Sequence, residues 1–129
     1  MNKICTDIEQ SKKLIELGLD VSTADMLWTY DFTVNDINGL NVISKHLKPE
    51  KKDVPAWSLS ALSELMPLIN EYNVEYRPII ERYKDDGWAC KYYNEETRST
   101  DDVYIRRYGR TPLDAAFDMV VWLKENNKL

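Results

Sequence analysis

The sequence predicts an α+β fold: an antiparallel meander sheet, made of a hairpin over 79–93 and a strand near 102–108, packed with helices near 7–17, 58–66 and 112–125. Two observations carry this. Apolar and polar residues alternate on either side of Asp86-Gly87, a pair that accepts the positive φ of a tight hairpin turn. Three stretches of helical periodicity also each follow a Thr or Ser placed to cap them. At 129 residues, with apolar side chains spread along the whole length, the chain reads as one globular domain over 1–129.

The first helix opens on Thr6-Asp7-Ile8-Glu9, a Thr-x-x-Glu capping box, and buries a stripe of Ile8, Ser11, Leu14, Ile15 and Leu17. Gly18 is placed to end it in a left-handed conformation. Asp25 to Asp31 has the aromatic and β-branched content of a strand. Asn35, Asp36, Asn38 and Gly39 form turns, Leu40 to Ile43 suits a short return strand, and the polar run Lys45 to Asp53 reads as loop. Ser58 caps the second helix, which Pro67 stops near 66 because proline has no N–H to donate.

A two-residue turn at Asp86-Gly87 puts Ile79, Tyr83, Trp88, Cys90 and Tyr92 on the core face of the hairpin. Ile80, Arg82, Lys84, Ala89, Lys91 and Tyr93 then face outward. Val103 and Ile105 point inward from the third strand. Gly109-Arg110-Thr111-Pro112 announces the last helix, with Thr111 as cap, Pro112 in its first turn and Asp114 complementing the helix dipole. Its polar stripe is only Asp114, Asp118 and Glu125, so it needs cover on more than one side. The segment 59–65 aligns without gaps on 113–119, an echo that a strand–strand–helix duplication would produce and that capped apolar helices also produce by chance.

Composition narrows function. No apolar run reaches the ~18–20 residues that cross a bilayer, and the first residues lack a signal peptide's apolar stretch, so a cytoplasmic location and no membrane partner are expected. Cys5 and Cys90 make no disulfide framework and are expected as free thiols. A net charge of −5 argues against a generic nucleic-acid binder. No cofactor or metal motif is present in the sequence.

Three segments together, Ser11-Lys12-Lys13-Leu14-Ile15-Glu16-Leu17-Gly18-Leu19-Asp20 through Met26, Pro55-Ala56-Trp57-Ser58-Leu59-Ser60-Ala61-Leu62, and Thr111 to Ala116 with Trp122 to Asn126, resemble small proteins of Bacteroides-type gut bacteria and their prophages. The resemblance skips roughly 31–54. It implies a phage or mobile-element context and, since that family brings no established activity, no catalytic residues. The terminal helix is also similar to the last helix of small phage domains with a layered α-β-α sandwich.

Candidate chemistry is sparse. His46 has no Cys or carboxylate at ligand spacing, so it reads as solvent-exposed, and Ser58 reads as a cap rather than a nucleophile. The pairs Asp85-Asp86, Glu95-Glu96 and Asp101-Asp102 are sequential and diverge, while Asp31, Asn35 and Asp36 lack the rest of a calcium loop. No catalytic residue is assigned. One surface stands apart: residues 77–110 carry +1 and the remainder −6. Within it, Arg82, Lys84, Lys91, Tyr93, Tyr104 and Arg106 form a candidate interaction surface, basic and aromatic. Trp28, Trp57, Phe117 and Trp122 add aromatic surface of the kind that interface cores use. The expected function is non-catalytic protein binding or self-association, with single-stranded nucleic-acid binding as the alternative.

Overall fold

In the computed structural model, residues 3–44, 49–97 and 102–129 are described, and His46, Arg98 and Asp101 lie outside them. The first helix, α1 (Ile8–Glu16), starts one residue later than the Thr6 capping box requires. Asp7 is its cap and Gln10 closes the box: the Gln10 N–H donates to Asp7 at 2.8 Å, and the Asp7 N–H donates back to Gln10 Oε1 at 3.1 Å. Thr6 is instead fully buried, its hydroxyl 2.7 Å from that of Ser11 and accepting from the Trp57 N–H at 3.0 Å. A short polar side chain that could cap a helix is thus used to satisfy the interior. Gly18 takes the left-handed conformation at φ 90° as the sequence indicates.

Two antiparallel sheets follow. The smaller one has the order β2-β1-β3, from β1 (Met26–Asp31), β2 (Asp36–Val42) and β3 (Val54–Ala56). The return strand is therefore longer than 40–43, and Thr29 opposes both Asn38 and Gly39 at a bulge. The helix α2 (Leu59–Leu65) is capped by Ser58, whose hydroxyl accepts from the Ala61 N–H. The larger sheet runs β4-β5-β6-β7, from β4 (Ile69–Glu71), β5 (Val74–Tyr83), β6 (Gly87–Asn94) and β7 (Val103–Gly109). Then comes α3 (Pro112–Glu125), capped by Thr111. The α+β class and the antiparallel meander are as the sequence predicts, with β4 added at one edge.

The first half of the chain presents three strands and then a capped helix and the second half four, and β3 pairs with β1 whereas β7 pairs with β6. The two halves do not share a strand order, which leaves the echo between α2 and α3 as a likeness of capped apolar helices. Both helices share one core with the inner face of the larger sheet, where Trp57, Leu62, Cys90, Tyr92, Leu113, Met119 and Leu123 are buried. Of the described helices, α3 packs on β5, β6 and β7 of the larger sheet and against α2, while α1 packs on β3 of the smaller one.

The hairpin register differs from expectation. Tyr83 pairs with Gly87, and the turn is the three residues Lys84 to Asp86, with Lys84 at φ 55° in place of a two-residue turn on Asp86-Gly87. That odd slip exchanges the faces of β5 while β6 keeps its own. Ile80, opposite Cys90, packs on the core, and Ile79, opposite Lys91, is 39% exposed.

Candidate functional site

The register decides which of the sequence-nominated residues meet. Opposed residues of an antiparallel ladder share a face, so the open face carries the rows Arg77–Tyr93–Val103, Ile79–Lys91–Arg106, Glu81–Ala89–Tyr108 and Tyr83–Gly87. Lys91, Tyr93 and Arg106 are therefore together. Arg82 is not with them: it lies opposite Trp88 on the other face, with its guanidinium 5.3 Å from the indole centroid. Lys84 sits in the hairpin turn. Tyr104 is the unpaired residue of a bulge between Tyr92 and Tyr93, which turns its ring inward, 5.3 Å from Tyr76 and 6.2 Å from Trp122. For the same reason Val103 lies outward with Tyr93, while Ile105 alone of the expected pair points inward.

Tyr83 and Tyr108 were not nominated for this surface; the register slip of β5 explains Tyr83, whereas Tyr108 already shares the parity of Arg106 in the sequence. Their rings pack at 4.7 Å over the fully buried Ala89. The face is also balanced in charge. Arg77 pairs with Glu75 at 3.1 Å and Glu95 at 3.0 Å, and Lys91, its side chain only 8% exposed, pairs with Glu81 at 2.8 Å. Arg106 is different. It stands directly opposite Lys91, a like charge, and its Nε is buried with no hydrogen-bond partner among the described residues. An unpaired buried donor costs about 1–3 kcal/mol, a cost that an incoming carboxylate relieves only if the Arg106 side chain shifts to bring Nε to the surface. Phosphate-tracking surfaces need uncompensated cations, and only Arg106 on this face answers that description among the described residues.

Elsewhere among the described residues, the candidate nucleophiles named in the sequence are not poised to react. Ser58 donates its hydroxyl hydrogen to Asp25, and the Ser58 N–H donates to the other oxygen of Asp25 at 2.8 Å. The hydroxyl oxygen also caps α2, so the group is committed to structure. Both thiols are free and buried. Burial, with the Asp25 charge added, pushes the Cys5 thiol up to about 11, and burial pushes Cys90 up to about 12. Native protein at neutral pH should therefore react with a disulfide reagent at least about a hundredfold more slowly than the urea-unfolded chain, where thiols titrate near ~8.5. Reaction of either cysteine at the unfolded rate would show it to be accessible.

Among the described residues, no three or more His, Cys, Asp or Glu side chains gather as they would around a metal ion, and no helix is long and apolar enough to cross a membrane. No family model, no curated protein and no solved structure matches the chain.

Proposed function

We propose that the protein acts without catalysis, by self-association through the open face of the larger sheet. The observation that carries this reading is Arg106, a guanidinium with a buried, unpartnered Nε on a face that no described helix covers. Tyr83, Tyr93, Tyr108, Ile79 and Val103 supply apolar and aromatic area around it. Equal numbers of cations and carboxylates, Arg77, Lys91 and Arg106 against Glu75, Glu81 and Glu95, let two copies approach without net repulsion. A two-fold axis parallel to the strands would lay β5 of one copy over β7 of the other. Glu81 then lies within one pleat of the partner's Arg106 row, as isologous sheet-on-sheet packing allows.

Sedimentation equilibrium across the micromolar range should find a dimer. Arg106→Glu and Tyr93→Glu should each weaken it at least about tenfold, the equivalent of ~1.4 kcal/mol. A monomer at every concentration, or a dimer indifferent to both substitutions, would overturn the reading.

A further inference from the structure

A cavity of about 420 Å³ opens on the opposite side of the larger sheet, where β5, β6 and the start of α3 meet, with Lys3, Arg82, Trp88, Arg110, Leu59 and Pro112 in its lining. Its size is that of small-molecule sites, about 300–1,000 Å³. Three cations converge there in a chain whose net charge is −5. The Asp114 carboxylate could cancel them, but it is already occupied. Lys3 Nζ donates to it at 2.9 Å and Gln10 Nε2 at 2.9 Å, while its own N–H is taken by the Thr111 hydroxyl. Burial alone would raise the Asp114 carboxyl, but the hydrogen bonds from Lys3, Gln10 and Thr111 outweigh it and hold the group ionised, below the usual carboxylate range. Arg82 and Arg110 are left exposed with no ion pair among the described residues; Arg82 makes only a hydrogen bond to the Asp85 carbonyl, at 3.2 Å.

The lining is more than a charge. Arg82 lies over Trp88, so a guanidinium plane and an indole form one wall, and Leu59 and Pro112 form another. Planar rings stack on both indole and guanidinium surfaces. Two guanidiniums with no ion-pair partner among the described residues present forked N–H donors matched to phosphate oxygens.

We propose that this cleft binds a phosphate ester carrying a planar ring, of mononucleotide size, with Arg82 and Arg110 on the phosphate and Trp88 against the ring. The site lies on the far side of the sheet from Arg106, so its test is independent of dimerisation.

Calorimetric titration of the full chain with AMP, inorganic phosphate and adenosine separates the contributions. AMP should bind at low salt, and phosphate or adenosine alone should bind at least about tenfold more weakly. Arg110→Ala and Trp88→Phe should each weaken AMP at least about tenfold without altering the far-ultraviolet spectrum, and Lys84→Ala, a cation in the neighbouring turn, should leave the affinity unchanged. Absence of AMP binding at low salt overturns the proposal. So does AMP affinity that survives the Arg82→Ala/Arg110→Ala double substitution, that inorganic phosphate or adenosine matches, or that Lys84→Ala reduces equally.

Discussion

Trp57→Ala should destabilise the fold by about 3–5 kcal/mol, the range for large aromatic truncations in cores. The residue is fully buried and joins β3 to α2. Its indole N–H donates to the Thr23 hydroxyl at 2.9 Å, its backbone N–H donates to Thr6, and its carbonyl accepts from the Thr6 N–H at 2.9 Å. Truncation empties the volume of an indole and strips the Thr23 hydroxyl of its donor, and the three elements around it are too firmly tied to collapse inward. Urea unfolding followed by fluorescence measures this directly. A loss under about 1 kcal/mol would mean that the site repacks. Trp122 on α3, by contrast, is only partly buried, edge-on to Tyr104, and its truncation should cost less.

Gly109→Ala should cost about 3 kcal/mol, the upper end of ordinary overpacking. A Cβ there would stand 2.4 Å from the Ala115 nitrogen and 2.6 Å from the Asp114 carbonyl carbon. Both obstacles are backbone atoms of the first turn of α3, which Thr111 caps and which the Arg107–Asp118 ion pair, at 2.8 Å, ties to β7. Neither can swing away as a flexible side chain would. The strain must open either the Trp88–Gly109 pairing or the docking of α3. Thermal unfolding should shift down by about 10 °C, and an unchanged midpoint would show that the strand end yields freely.

The sequence makes the ends of elements clearest where covalent chemistry acts locally. Thr111-Pro112 places the start of α3 where it is observed, and Gly18 and Pro67 mark where α1 and α2 stop, because a missing N–H or a missing Cβ acts without reference to the rest of the fold. Register is less legible. Asp86-Gly87 suits one turn about as well as Lys84 to Asp86 suits another, and what separates them is distant: Ile80 packs on the core, and Glu81 meets the buried Lys91. The interaction surface inherits that ambiguity. Lys91, Tyr93 and Arg106 lie on strands whose faces the slip leaves alone, so they are found together, whereas Arg82 changes sides with β5 and Tyr104 with its bulge. Thr6 shows the same limit, since its partner Trp57 stands 51 residues away and no local pattern reveals it.

The tie between α1 and α3 governs when the fold can be completed. Gln10 and Lys3 reach Asp114 across 104 and 111 residues of sequence. On a ribosome adding ~5–20 residues per second, α1 emerges about 5–20 s before its acceptor exists, while its partners in β3 and α2 arrive in roughly half that time. Residues 3–66 can therefore collect around Trp57 early, but the carboxylate that secures Lys3 and Gln10 follows only after the strands of both sheets. Until then the apolar surface awaiting α3, with Leu62 and Cys90 at its centre, stays uncovered. The nascent chain is consequently most exposed to aggregation in the interval after the strands of both sheets have emerged and before α3 joins them.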